Sequence, residues 1–291
     1  MEWQRFDALL DEALAEDRAD HDVTTLALIA PARRTEGRVV AREAGVVCGL
    51  PLAERLAHRF DEELEFEARA REGERVDQGA VVAELSGLAV SVLALERPML
   101  NFLQRLSGVA TLTARFVQKV AHTSARIYDT RKTTPGWRHL EKYAVRCGGG
   151  CNHRMDLGEM VLMKDNHLRL LAGAEAEDGP ARTAVRRARE EWPGLAVEVE
   201  VETEDQLRDV LAAAPDIVML DNMSPEQVAA AVEAVENRSS TLPRPEIEAS
   251  GGIDLSNVAD YAEAGVDRIA LGEITHSAPA LDISVTVGSE A

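Results

Sequence analysis

Residues 197–221 read VEVEVETEDQLRDVLAAAPDIVMLD. Val197 to Glu202 alternates apolar and acidic residues at period two, as a strand does. EDQLRDVLAAA (204–214) then brings its apolar residues back at helical spacing, and DIVML (216–220) is a second strand that runs into Asp221. Strand, helix and strand with connections this short form a parallel crossover. The same rhythm extends both ways. Upstream, the helical TLTARFVQKVAH (111–122) leads into strand ARIYDT (125–130); downstream come helix PEQVAAAVEAVE (225–236), strand EIEAS (246–250), helix NVADYAEAG (257–265) and strand VDRIALG (266–272). Ser224-Pro225 starts one of these helices and Gly265 ends another. Units in this number favour a barrel over an open sheet, over residues 107–276.

Residues 1–106 read as a small α+β domain. A first helix groups Trp3, Phe6, Leu10, Ala13 and Leu14, and strand-like GRVVAREAGVVCG (37–49) and VVAELSG (81–87) follow. The closing stretch VLALERPMLNFLQRLSG (92–108) is helical, with Pro98 expected in its first turn. GERVDQGAVV (73–82) resembles the hairpin of biotinyl and lipoyl carriers but lacks their modified lysine, so it implies shared architecture without carrier function.

Composition narrows the function. The net charge of −19 disfavours nucleic acid and anionic membranes as partners. The charge is uneven, however: residues 126–169 hold nine Lys or Arg against five acids, a local +4 inside a shell of −23. That suits a small anion. No apolar run approaches the roughly 18 residues of a membrane span, and the acidic, amphipathic N-terminus is unlike a signal peptide. Cys48, Cys147 and Cys151 cannot build a disulfide framework, so a reducing, cytoplasmic setting is expected.

Barrel chemistry gathers where strands end. Asp129-Thr130-Arg131-Lys132-Thr133, Lys164-Asp165-Asn166, Asp221-Asn222, Ser250-Gly251-Gly252 and Gly272 each follow a strand. Singly these are turn formers; together, with Arg-Lys and Lys-Asp-Asn among them, they outline a site. Ser250, Gly251, Gly252 and Gly272 follow the last two strands, where backbone N–H groups commonly bind phosphate. The glutamates of VEVEVE share one face: either they are solvated on an edge strand, or they point inward, where Glu200 with Asp221 could hold Mg²⁺ through oxygen and water. Cys147-Gly148-Gly149-Gly150-Cys151-Asn152-His153 lacks the further ligands of a zinc site. Its glycines read as backbone around an anion, with His153 and Arg154 as donors.

ERPMLN (96–101), YDTRKTTPGWRHLEKYAV (128–145), GGGCNHRMDLGEMVLMKDNH (148–167), VEVEVE, MLDNM (219–223), EASGGI (248–253) and LGEITHS (271–277), in this order, closely resemble the quinolinate phosphoribosyltransferase family. The resemblance runs from DVTT (22–25) to His276. It implies a type II phosphoribosyltransferase fold: an N-terminal α/β sandwich, to which residues 277–291 return, and an incomplete α/β barrel capped by the sandwich of a partner subunit in a homodimer or hexamer. The implied reaction joins quinolinate to phosphoribosyl pyrophosphate (PRPP) with Mg²⁺, giving nicotinate mononucleotide, pyrophosphate and CO₂. Carried over by motif, Arg97 (from the neighbouring subunit), Arg131, His153, Arg154 and Lys164 would surround the pyridine carboxylates. Lys132 and Lys164 would neutralise pyrophosphate, and Glu200 and Asp221 would hold ribose hydroxyls and hydrated Mg²⁺. Ser250, Gly251, Gly252, Gly272 and His276 would take the 5′-phosphate, with Lys132, Glu200 and Asp221 catalytic. The chain departs from the family at Cys147 and Cys151 and in residues 171–182, which read as a short insertion.

Two other readings compete: a related enzyme using nicotinate or another base, and a non-catalytic phosphosugar sensor. The four cations Arg97, Arg131, Arg154 and Lys164 favour an acceptor with two carboxylates, and the presence of Lys132, Glu200 and Asp221 disfavours the sensor. The acidic excess also fits a surface adapted to high salt. The expected outcome is greater stability and turnover in molar KCl than in dilute buffer, read from unfolding midpoints and initial rates. Equal values in both would remove that reading.

Overall fold

A computed structural model of the chain describes residues 1–171, 179–238 and 242–288; most of the 171–182 segment lies outside them. Contacts group the chain into two units: Met1–Ala114 with Tyr143–Gly149 and Ala278–Ala291, and Arg115–Lys142 with Gly150–Ser277. The division at Ala114/Arg115 falls within the continuous helix Ala89–Val120, beyond the 106/107 boundary expected from sequence.

The N-terminal unit is built on an antiparallel sheet. Its strands are β1 (Arg34–Ala41), β3 (Glu65–Ala68), β5 (Val81–Leu88) and the C-terminal β12 (Ile283–Val287), in the order β12-β1-β5-β3; β2 (Gly45–Val46) and β4 (Arg75–Val76) form a separate pair. β12 pairs with β1 from Gly37↔Val287 to Ala41↔Ile283. The helix Leu50–Phe60 buries Leu50, Leu52, Ala53, Leu56 and Ala57, each of the larger side chains contributing about 1.5–3 kcal/mol by leaving water. Pro98 does not start a helix: it lies inside Ala89–Val120. Proline there removes one backbone bond and crowds the carbonyl of Ala94. Burial of Leu95, Met99, Leu100, Phe102, Leu103 and Leu106 around it outweighs that cost.

The second unit is a six-stranded, wholly parallel sheet. It comprises β6 (Arg126–Tyr128), β7 (Val161–Met163), β8 (Val197–Val201), β9 (Ile217–Asp221), β10 (Glu246–Ser250) and β11 (Arg268–Ala270), in the order β6-β11-β10-β9-β8-β7. β6 and β7 end the sheet without pairing to each other, so the barrel is incomplete. Helices cover it because the intervening segments have apolar stripes: Leu207 and Val210 in Glu204–Leu211, and Val228, Ala231 and Val235 in Pro225–Glu236. The latter helix begins with a capping box between Ser224 and Gln227. β8 lies between β7 and β9 and all five of its residues are buried, so VEVEV is an interior strand and its glutamates are not on a solvated edge. Register places Glu200, Met219, Glu248 and Arg268 side by side. Period two then puts Glu198, Asp221 and Ser250 on that same face.

The open side of β6 is occupied by the segment that carries His153 and Arg154. Cys151 N–H donates to Ile127 O at 2.7 Å and Asp129 N–H to Cys151 O at 3.1 Å. A buried ion pair holds this segment in place: Lys142, on helix Arg138–Cys147, donates its Nζ protons to Asp129 Oδ1 and to His153 O at 2.9 Å. Asp129 also accepts from His153 N–H at 2.9 Å and Asn152 Nδ2 at 2.6 Å. Both side chains are fully buried, and burial pushes the Asp129 carboxyl up and the Lys142 ammonium down in pKa, each held charged by the other. Removing one partner strands a buried charge. Lys142→Met is therefore expected to lose about 3–5 kcal/mol in urea unfolding, and Asp129→Asn a large part of that. Near-wild-type stability in both variants would rule out this anchoring.

Candidate active site

The loop after β6 brings the Arg-Lys pair to the strand ends. Its conformation is set by Glu141, which accepts from Thr134 N–H at 3.0 Å and Thr134 Oγ1 at 2.8 Å, and by Arg138 Nε, which donates to Thr133 Oγ1 at 3.1 Å. Arg131 is half-buried with its Nε buried and without a partner. Arg154 is half-buried as well and donates to Met160 O at 3.2 Å. Burial, and then the positive charge of Arg131, lower the Arg154 pKa. Neither guanidinium has an ion-pair partner among the described residues. Two partly desolvated like charges without a counter-ion are suited to a small polyanion.

Beside them stands a carboxylate group. Lys164, immediately after β7, pairs through Nζ with Glu200 Oε2. Burial raises the Asp221 pKa; Glu200 and Glu202 raise it further, while Lys164 and Lys132 oppose them. Lys132, Lys164, Glu200 and Asp221 thus share one electrostatic neighbourhood. Lys132 is exposed, and its backbone is tied down by Thr275 Oγ1, which donates to Lys132 O at 2.7 Å.

The glycines complete the strand ends. A Cβ on Gly272 would lie 3.0 Å from Lys132 Cδ and 3.1 Å from His276 Nε2, so that glycine lets Lys132 and His276 converge. Gly251 has φ +88, and a Cβ there would lie 2.3 Å from Asn222 Oδ1. Gly252 has φ +65 and open space beside it, and Ser250 is half-buried at the end of β10. Arg97 is the one proposed site residue in the N-terminal unit. It is exposed on helix Ala89–Val120 and makes no hydrogen bond or ion pair among the described residues.

Comparison with known proteins matches this arrangement from both ends. Residues 22–107 match the N-terminal domain, and residues 109–286 the C-terminal domain, of quinolinate phosphoribosyl transferase. The chain belongs to the quinolinate phosphoribosyl transferase family. It is 40% identical to the nicotinate-nucleotide pyrophosphorylase [carboxylating] of Mycobacterium leprae, over 96% of this chain and 97% of that protein. It is 39% identical to the probable enzyme of that name from Synechocystis, over 98% and 93%. The solved nicotinate-nucleotide pyrophosphorylase of Francisella tularensis superposes with a TM-score of 0.89 at 35% identity, covering 99% of this chain and 98% of that one.

In this quinolinate phosphoribosyl transferase family member, two parts of the site differ from the sequence reading. The glycine run serves the end of a helix. Gly148 and Gly149 end the helix Arg138–Cys147, the latter at φ +84, and a Cβ on Gly148 would lie 2.4 Å from Ala110 O. His153, expected as a donor to the anion, turns its ring inward. Arg154 N–H donates to Nδ1 at 2.8 Å, and Nε2 faces Glu198 Oε2 at 3.0 Å and Glu248 Oε1 at 3.4 Å. Nε2, both Glu198 oxygens and Glu248 Oε1 are buried without a hydrogen bond despite these short separations. Arg268 completes this deep layer: its Nε donates to Glu248 Oε2 at 2.7 Å and its guanidinium lies 3.9 Å from the centre of the Tyr128 ring. The period-two pattern of EIEAS, like that of VEVEVE, was the signal that could have found Glu248.

Carboxylate oxygens also decide how a cation could sit here. Among the described residues, Glu200 and Asp221 form no cluster of three converging protein ligands. A hard cation beside them therefore takes most of its oxygens from water or substrate, which is the usual habit of Mg²⁺, and the mutual repulsion of these carboxylates fits a positive ion.

His153 carries a pH dependence. Burial alone would lower its pKa, but Glu198 and Glu248 outweigh burial and hold it up to about 9. A second ring proton displaces the Arg154 amide, a neutral bond of only about 1 kcal/mol. Because the folded value exceeds the unfolded one of about 6.5, this contribution to stability is complete below the unfolded value and disappears as pH rises through about 9. Urea midpoints of the wild type should fall across that window relative to His153→Gln. Parallel curves would exclude a charged His153.

Proposed function

We propose that this chain transfers the phosphoribosyl group of PRPP to the ring nitrogen of quinolinate, with loss of CO₂, to give nicotinate mononucleotide and pyrophosphate in NAD biosynthesis. The observation that carries the reading is the pair of half-buried guanidiniums Arg131 and Arg154, without an ion-pair partner among the described residues, next to the Lys164–Glu200–Asp221 group. An acceptor with two carboxylates and a donor with a pyrophosphate need that combination of cations and oxygens.

In this reading Arg131, Arg154 and Lys164 bind the pyridine dicarboxylate, with His153 bracing the segment from below. Arg97 comes from the neighbouring subunit of a homodimer or larger assembly, consistent with its exposure on the helix. Ser250, Gly251, Gly252, Gly272 and His276 take the 5′-phosphate. Lys132 and Lys164 neutralise the departing pyrophosphate, while Glu200 and Asp221 hold the ribose hydroxyls. Mg²⁺, bound through water and PRPP beside Glu200 and Asp221, would neutralise charge on the leaving group. As the C–O bond to pyrophosphate lengthens, the ribosyl carbon gains positive character, which Glu200 and Asp221 stabilise. Decarboxylation follows ribosylation: once the ring nitrogen is quaternary, its positive charge stabilises the electron pair left on the adjacent ring carbon as the bond to CO₂ breaks, that carbon then takes a proton from water, and the arginines keep the ring in position.

The test is an assay with Mg²⁺, PRPP and either quinolinate or nicotinate, following CO₂ and mononucleotide. Quinolinate should yield both in equal amounts, and Lys132→Ala and Glu200→Ala should each lower turnover by about 10²–10³-fold with little change in the unfolding midpoint. Turnover of nicotinate instead would overturn the two-carboxylate assignment. Unchanged turnover in either variant would overturn the role of that residue.

A further inference from the structure

We propose that Cys48, Glu72 and Cys147, in the N-terminal unit, form a binding site for one thiophilic divalent cation of the zinc class, separate from the oxygen-rich cation position of the proposed reaction. In sequence these residues are remote from one another. Cys48 stands in the loop between β2 and helix Leu50–Phe60, Glu72 in the turn between β3 and β4, and Cys147 at the last position of helix Arg138–Cys147. The sequence pattern suggested Cys147 with Cys151 as neighbours; the fold brings Cys48 to Cys147 instead.

The two Sγ atoms and a Glu72 oxygen all lie within 4.8 Å of one another. Cys147 Sγ is 3.8 Å from Glu72 Oε2. A tetrahedral zinc ion, with metal–sulfur distances near 2.3 Å and metal–oxygen distances of about 2.0–2.2 Å, holds a sulfur and an oxygen ligand roughly 3.6 Å apart. The observed separation needs only a small adjustment to meet that value.

The ligands are also braced from behind, as the outer shell of a metal site is. Glu72 Oε1 accepts from Gly49 N–H at 2.9 Å and Leu50 N–H at 2.8 Å, fixing the carboxylate at the start of helix Leu50–Phe60. The backbone of Cys48 is held on both sides by Ser107, whose Oγ accepts from Cys48 N–H at 3.0 Å and lies 3.2 Å from Cys48 O. Gly73 has φ +76, and a Cβ there would lie 3.0 Å from Cys147 O, so the turn carrying Glu72 approaches the helix end closely. The position lies at the C-terminal end of helix Arg138–Cys147, where the helix dipole favours positive charge. Cys147 is half-buried, which leaves a path for entry, and Cys48 is buried.

Two sulfurs and one carboxylate select a borderline or soft ion over Mg²⁺ or Ca²⁺. Binding would replace the thiol protons of Cys48 and Cys147 with two metal–sulfur bonds and add one bond to Glu72, leaving the fourth tetrahedral position to water. The ion would clamp three separate segments of the N-terminal unit.

The experiment uses the full chain, reduced and stripped of metal, with Asp221→Ala as a control for the other cation position. Cobalt(II) is added as the spectroscopic probe, and zinc is then measured by competition and by metal content. The wild type and Asp221→Ala should each bind one tetrahedral cobalt ion with a thiolate-to-cobalt charge-transfer band, and zinc should displace it and raise the unfolding midpoint. Cys147→Ser should lose the band and the zinc-induced shift while remaining folded by circular dichroism. A wild type without the band, or a band of equal strength in Cys147→Ser, would overturn the site; the first result needs no variant to fold.

Discussion

The arrangement at the strand ends depends on one buried ion pair, Asp129–Lys142. Neither charge could be buried alone. Together with the amide of His153, the side chain of Asn152 and the carbonyl of His153, they satisfy one another and fix the backbone of residues 151–153 along the free side of β6. An incomplete barrel has an unpaired strand there, and an unpaired edge is a place where a chain can slip. Anchoring the edge by charge as well as by backbone bonds sets where Arg154 emerges, and so its distance from Arg131.

A parallel barrel usually fills its interior with branched apolar side chains. Here the inward face of β8, β10 and β11 carries Glu198, Glu200, Glu248 and Arg268, all buried. The outward valines of β8 keep that strand apolar toward its covering helices, so one period-two pattern serves both surfaces. The deep residues gather around His153, and the upper ones open onto the strand ends. Polarity in the core is thus graded, from paired charges at the bottom to incompletely paired charges at the strand ends.

Much of this is legible in the sequence, because barrel geometry turns local patterns into positions. VEVEVE, DIVMLD and EIEAS each announce a strand and its end, and the strand ends converge whatever the details of packing. Pro98 misleads because the rule that proline starts helices is local, whereas the burial around it is tertiary. The GGG run misleads for a similar reason: Gly148 is required by a close approach to Ala110, a contact from a segment nearly forty residues away in sequence, and Gly149 by its left-handed backbone. Glu198 and Glu248 were visible as alternating acids, but their convergence on His153 depends on register, which no single strand displays. The nearness of Cys48 to Cys147 has no local signal at all.

The two charged groups at the strand ends are each unfavourable alone. Burial and then Arg131 lower the pKa of Arg154, and burial, Glu200 and Glu202 raise that of Asp221. In an acidic chain of net −19 it would be simpler to set each arginine against a surface carboxylate, yet among the described residues the guanidiniums remain without an ion pair and the acids remain crowded. Like charges held together in a folded scaffold are relieved only by a ligand of opposite sign, and the relief is largest for the species that places the most charge at both positions. In the proposed reaction such a species carries negative charge on its carboxylates and departing group and positive charge on the carbon between them. A site built in this way would hold that separated-charge arrangement more tightly than a ground state in which the carbon carries no positive charge.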